Sequence, residues 1–321
     1  MKDIYAAITE RFIEQLKQGT VPWRKSWLSA QNLVSRKPYH GVNALLLGSA
    51  RHASPFWMTF HQALESGGSI RKGEKATPII FFKFREKRDG EGKVVLSPKG
   101  TPAVIPLVRW SNVFNLQQTE GIAAPTLAAG QADGPALEKA EALVRSADLC
   151  PILHQGFAPA YSPLEDVIRI PPPERFRSPE DYRHTLFHEM THATGHTSRL
   201  NREGVTQPVK FGSDRYSKEE LIAELGAAFL SNEAGILDQV RFEDSAAYLH
   251  SWMEKFQNDP SLIVSAASHA QRSADWVRGI RQSEEEKESL QESRSERRME
   301  YAAAPLATKE GHARSHRRSR W

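Results

Sequence analysis

Apolar positions recur at helical spacing along much of this chain. Ile4, Ile8, Phe12 and Leu16 fall four apart, so Asp3 to Lys17 is predicted as an amphipathic helix that Gly19 closes. Tyr182, Leu186 and Met190 repeat at i, i+4, i+8 in a segment that Ser178 caps, Pro179 opens and Glu180 and Asp181 favour through first-turn charge, with Gly195 as the expected stop. Ser54–Ser66, ALEKAEALVRSA after Pro135, Asp244–Phe256 and Pro260–Ile280 read as further helices. In the last of these, Ile263, Ala267, Ala270, Ala274 and Val277 form the packing face. SKEELIAELGAAFL opens another helix, with Ser217 as its cap and Glu220 three residues on, the pattern of a capping box.

Strand signals are fewer and cluster in two places. Ala76–Phe84 is rich in β-branched and aromatic residues, and with a turn at RDGEG (88–92) and a partner over Pro102–Trp110 it predicts a hairpin. Pro151–His154 reads as a strand, and AYSPLEDVIRIPP (160–172) as a hairpin whose second strand, Asp166–Ile170, is an exposed candidate for pairing with an extended peptide. Residues 117–134 are rich in Ala, Gly and Pro without periodicity, which marks a flexible boundary. The expectation is an α+β protein: an N-terminal α+β domain over 1–116, a linker over 117–134 and a mainly helical domain with a small sheet over 135–281. The charged, apolar-poor tail over 282–321 is expected to be disordered or a lone helix, and its basic end could add phosphate contacts.

Composition narrows the function classes. With 43 Lys+Arg against 39 Asp+Glu, the net charge is +4, which argues against mimicry of DNA, since a mimic must be strongly acidic. One cysteine, Cys150, excludes an intrachain disulfide and fits a reducing compartment. No apolar run approaches ~18 residues and the first residues have no signal-peptide character, so a cytoplasmic location is expected.

The chemistry-bearing stretch is DYRHTLFHEMTHATGH (181–196). On a helix, His188 and His192 project from one face and reach one ion, with Glu189 at its rim: the HExxH arrangement in which two histidines hold zinc and the glutamate takes the proton of the attacking water. A third ligand is required. His196 follows Gly195 directly, out of register for the longer HExxHxxGxxH motif, where Ser198 stands. Two acids of the later helix are candidates. Glu224 comes first, because the capping box occupies Glu220 and because Gly226, Ala227 and Ala228 permit close approach; Glu220 is the alternative. Tyr161 or Tyr216 could steady an oxyanion. In the N-terminal part, Trp23 and Trp27 bracket Arg24 and Lys25, and Arg36, Lys37 and Tyr39 follow. Arg71, Lys72 and Lys75, with Lys83 and Arg85, add charge near the predicted sheet. Rings interleaved with cations suit single-stranded nucleic acid, although tryptophans also serve as core.

The segments PW (22–23), RKPYHGVNALLL (36–47), Trp57 with Gln62, IRKGEKAT (70–77) and VFNLQQTEG (113–121) resemble the N-terminal single-stranded-DNA-binding domain of ArdC-like antirestriction proteins of conjugative plasmids, a domain also similar to that of TraC-type plasmid primases. FHEMTHATGHTSRLNR (187–202), FG (211–212), YSKEELIAELGAAFL (216–230) and the Trp252–Trp276 segment resemble the zincin metallopeptidase domain of the same family, similar in type to the SprT and Spartan proteases. The resemblance implies metal-binding His188 and His192, catalytic Glu189, Zn2+ as cofactor, single-stranded DNA as partner and a DNA-bound protein as a possible substrate. Two alternatives remain: a nonenzymatic DNA-protecting protein whose zinc domain is structural or vestigial, and a toxin-like protease delivered during conjugation.

Overall fold

The computed structural model describes residues 4–281 other than 28, 97–101, 126–134, 209, 211, 243 and 244. The expected tail (282–321), the second half of the expected linker, Asp3 and Asp244 as helix starts, Phe211 of the FG pair and the side chain of Lys83 lie outside what is described.

The architecture is α+β. Helix α1 (Ile4–Lys17) forms where the four-residue repeat predicts it and buries Ile8, Phe12 and Leu16. A 3-10 turn over Pro22–Arg24 and strand β1 (Gln31–Asn32) lead to α2 (Val42–Ser49). The single helix expected over Ser54–Ser66 is instead a strand followed by a helix. Phe56, Trp57 and Met58 are all buried as β2 (Phe56–Met58), and α3 (Phe60–Glu65) begins only at a capping box in which Thr59 and Gln62 exchange side-chain and backbone hydrogen bonds. Strands β3 (Ser69–Ile70), β4 (Thr77–Glu86), β5 (Val104–Asn115) and β6 (Thr119–Glu120) complete this part. β1 runs parallel to β2, β2 antiparallel to β5, and the sheet order is β1-β2-β5-β4; β3 and β6 pair separately.

The remainder is mainly helical around a small sheet. It comprises α4 (Ala136–Ser146), β7 (Ile152–His154), β8 (Ala160–Ser162), β9 (Val167–Ile170), α5 (Pro179–Ala193), α6 (Glu203–Thr206), α7 (Asp214–Ala234), α8 (Ala246–Asn258) and α9 (Leu262–Val277). β9 lies between β7 and β8, paired on both sides, so the exposed strand expected at 166–170 is a central one with Ile168 and Ile170 fully buried. Both of its backbone edges are taken, and it has none to offer a peptide.

Residues 82–107 form a separate unit. There Lys87 N–H donates to the Ala103 carbonyl and Val95 N–H to that of Lys87, while Asp89 accepts from Glu91 and Lys93 N–H at the RDGEG turn. Residues 4–81 and 108–281 build one compact unit. Its main core joins Ile8, Phe12, Leu16 and Trp23 to Leu186, Phe187, Leu221, Leu225, Phe256 and Ile263, so stretches on either side of residue 116 share a single apolar interior. Each such side chain, taken fully out of water, contributes about 1.5–3 kcal/mol. Thr9 Oγ1 donates to the Pro260 carbonyl at 2.6 Å, tying α1 to the approach of α9.

Candidate metal centre

Helix α5 carries the histidine pair, and its start follows the sequence closely: Ser178 Oγ accepts from Asp181 N–H at 3.1 Å and Pro179 occupies the first turn. Its end differs. The C-cap is Thr194, and Gly195 has no left-handed conformation; it is needed because a Cβ there would come within 2.5 Å of Val205 Cγ2 and 2.9 Å of Arg202 Cζ. The chain thus folds back under the end of α5, and this brings Arg202 to the site.

The Nε2 atoms of His188 and His192 stand 3.2 Å apart. Glu220 of α7 completes the group, with Oε2 3.6 Å from His188 Nε2 and Oε1 3.7 Å from His192 Nε2. One ligand atom from each of the three lies within 4.8 Å of the other two. Donors about 2.0–2.2 Å from a tetrahedral zinc stand roughly 3.3–3.6 Å from one another, so this spacing fits an ion of that size. Two imidazole nitrogens facing each other beside a carboxylate call for a proton or a cation between them. Burial opposes protonation of His188, but its hydrogen bond to Glu220 and the charges of Glu189, Glu220 and Glu224 outweigh it and hold the pKa above the ordinary value.

Glu220 takes the place first assigned to Glu224, and the reason lies in where α7 begins. Its cap is Ser213, whose side chain accepts from Tyr216 N–H at 3.3 Å, so Ser217 is a buried residue inside the helix and the expected capping box with Glu220 does not form. Freed from the backbone, Glu220 faces α5. Burial raises its pKa, but bonding to His188 and the nearby His192 charge more than compensate and keep it low. Glu224, one turn on, is outside the group: its Oε2 accepts from Trp23 Nε1–H at 3.1 Å and from the Tyr248 hydroxyl. The helices approach closely, as the small residues imply, since a Cβ on Gly226 would lie 2.5 Å from Thr191 Cγ2.

Two residues that sequence reasoning missed support the group. Glu219 Oε1 lies 3.3 Å from His192 Nδ1, and the same carboxylate accepts from Arg202 Nη2 at 2.6 Å. An acceptor on Nδ1 selects the tautomer whose Nε2 lone pair faces Glu220. Burial raises the Glu219 pKa, yet Arg202 and His192 hold it below the ordinary carboxylate range. The adjacent acids at 219 and 220 were the available signal for Glu219; nothing local marks Arg202. Glu189 is 5% exposed, beside His188 on α5. Of the oxyanion candidates, Tyr216 hydrogen-bonds Glu220, and its pKa is raised by burial and by that acid. Tyr161 is committed elsewhere: it donates to Asp166 Oδ1 at 2.7 Å and accepts from Arg199 at 3.3 Å. His196 Nδ1 pairs with Ser198 Oγ at 2.8 Å, apart from the group. His184, one turn before His188, bonds Ser231 Oγ at 2.9 Å, and burial pushes its pKa down to about 3.

The N-terminal candidates divide by exposure. Trp23 is 1% exposed and packs edge-on against Trp252 and Phe256, so it cannot receive a base. Arg24 lies over the rings of Tyr248 at 4.0 Å and Phe242 at 4.8 Å. Trp27 is half-buried, edge-on to Phe229, and Tyr39 packs partly buried beside the Trp57 core. The first three side chains face protein because the Pro22–Trp27 segment is docked on α7 and the turn after it: Ser26 N–H donates to Asp238 at 3.1 Å and Trp27 N–H to Asn232 Oδ1 at 2.9 Å. Lys25, Arg36, Lys37, Arg71, Lys72 and Lys75 are exposed, Arg71 pairing with Glu74 at 3.1 Å and Arg36 lying over Phe56 at 4.9 Å. Trp110 on β5, not singled out from sequence as a contact, is 55% exposed. No helix among the described residues is long and apolar enough to cross a membrane.

Comparison with known proteins follows the same division. Residues 2–114 match the model of the N-terminal domain of the anti-restriction factor ArdC, and 138–269 that of a zincin-like metallopeptidase. The crystal structure of the antirestriction protein ArdC from plasmid R388 in its metal-free form is 33% identical, with a TM-score of 0.67 over 87% of this chain and 97% of that one. Its Mn(II)-bound form matches at 32% identity, also with a TM-score of 0.67, over 87% and 98%. The uncharacterized protein y4eC of Sinorhizobium fredii is 31% identical over 86% of this chain and 91% of its own length. A DNA primase TraC of Escherichia coli is 36% identical over 91% of this chain, which spans only 28% of that protein.

Proposed function

The chain belongs to the ArdC-like antirestriction family and carries its zincin-like domain, and from that premise we propose that it coats single-stranded DNA without sequence preference and is a zinc-dependent metallopeptidase. The observation that carries the peptidase reading is the meeting of His188, His192 and Glu220 at ligand spacing. Two imidazoles and one carboxylate suit zinc, and three protein donors leave a position open. When bound, the metal supplies a Lewis acid that acidifies water and polarises a peptide carbonyl. The chain's own residues do the rest. Glu189 takes the proton from the attacking water and passes it to the leaving amine, Glu219 holds His192 in register, and Tyr216 stands beside Glu220 to meet negative charge developing on the carbonyl oxygen. A protein bound to DNA is the substrate this pairing of domains favours.

The DNA reading rests on the exposed cations Lys25, Arg36, Lys37, Arg71, Lys72 and Lys75 and on the open ring of Trp110, in place of Trp23. One set of variants tests both halves. Metal analysis should find near one zinc per chain in wild type and none in His188→Ala. Glu189→Ala should keep its zinc and lose peptide cleavage, assayed with single-stranded DNA present and absent. Retention of cleavage by Glu189→Ala would remove the peptidase mechanism. If that variant protects incoming DNA as well as wild type, protection is the work of the DNA-coating part alone.

A further inference from the structure

Glu224 has a peculiar placement. It follows Glu220 by one turn on the same helix, where a flexible carboxylate could swing toward the same ion. Its charge already acts on His188. Yet Oε2 is drawn the other way, by the Trp23 indole N–H at 3.1 Å and by the Tyr248 hydroxyl. Neither donor is free to follow Glu224. Trp23 is buried against Trp252 and Phe256, with ring centroids at 6.5 and 6.2 Å, and the Tyr248 ring is covered by Arg24 at 4.0 Å and edged by Trp252 at 6.3 Å.

We propose that Trp23, with Tyr248, is a positioning residue of the metal centre: it holds the Glu224 carboxylate away from His188, His192 and Glu220, so that three donors face the ion and one position stays open. The inference rests on the metal reading given above. A hydrolytic zinc site needs that open position, whereas a fourth protein ligand makes the closed arrangement of structural sites. The tryptophan of the PWR turn thus serves the peptidase half and not the DNA.

The test uses the full chain with Tyr248→Phe, Trp23→Phe and the double variant, each alone and combined with Glu224→Gln. A glutamine side chain in that place accepts the same hydrogen bonds but is a poor metal ligand. Zinc affinity is read by chelator competition, and the coordination sphere by the absorption of the Co2+ form with and without added azide. The double variant should bind zinc about tenfold more tightly and lose the azide-induced spectral change, Tyr248→Phe should move in the same direction, and Glu224→Gln should restore both readouts. Tyr248→Phe removes one hydroxyl at constant shape, so a poorly folded Trp23 variant still leaves a decisive measurement. Unchanged or weaker zinc binding with an intact azide response would overturn the proposal. Wild type that binds no zinc or cobalt would instead overturn the metal reading, and this inference with it.

Discussion

Glu219→Gln is the most exacting perturbation the site offers. The side chains of Glu219 and Arg202 are 6% and 3% exposed, and among the described residues this carboxylate is the only charged group paired with the guanidinium. The other acceptors around Arg202 are Thr194 Oγ1 at 2.8 Å, Ser273 Oγ at 2.9 Å and the Thr191 and His192 carbonyls. Glutamine keeps the shape and one acceptor but leaves a buried cation with neutral neighbours only. Breaking one side of such a pair costs about 3–5 kcal/mol. Urea denaturation of wild type and variant at pH 7 measures it, as a fall in midpoint at constant slope. The pH dependence adds a second check. The folded pKa of Glu219 lies below its ordinary value of 4.5, so its contribution is fully present above that value and is lost as pH falls toward the folded pKa. The difference between the two proteins should therefore be flat from pH 7 to about 5 and shrink below 4.5. A loss under about 1 kcal/mol, or a difference that persists undiminished at lower pH, would refute the buried-pair account.

Three further outcomes follow from the same geometry. Zinc affinity should decline on acidification from a pH above the ordinary 6.5 of histidine, because the raised His188 pKa lets protons compete early; chelator competition between pH 8 and 5 measures it, and an affinity unchanged down to pH 6 would contradict the contact of His188 with Glu220 as the cause. Gly226→Ala should destabilise by about 1–3 kcal/mol, read as a lower melting temperature, because its Cβ would meet Thr191 Cγ2 and Oγ1 at 2.5 Å; an unchanged melting temperature would mean that α5 and α7 separate freely. Lys72→Ala with Lys75→Ala should reduce the slope of log affinity for an unstructured oligonucleotide against log salt by about 1.4, roughly 0.7 per lost phosphate contact, and an unaltered slope would place the DNA elsewhere.

What could be read from sequence was whatever depends on near neighbours. His188, Glu189 and His192 are set by helical spacing within five residues, and Ser178 and Pro179 announce the helix they need. Which acid meets the histidine pair depended on where another helix starts, and that helix is capped by Ser213, four residues before the Ser217 read as its cap. Reading the cap at Ser217 tied up Glu220 and turned the assignment to Glu224. Trp23 failed for a different reason. A PWRKSW stretch has the same letters whether its rings stack on bases or dock on α8, and only partners more than 200 residues away, Glu224, Trp252 and Phe256, decide between them. Arg202 was silent likewise, since its role exists only once the chain has turned back beneath Gly195.

The hydrogen bond from Thr9 to Pro260 spans 251 residues, and it sets a timetable for biosynthesis. At about 5–20 residues per second, the ribosome takes roughly 12–50 s to deliver the second partner after the first. During that interval Ile8, Phe12 and Leu16 lack the α8 and α9 part of their core, Phe256 and Ile263 among it, which makes this helix a natural client for chaperones and a point where slow translation invites aggregation.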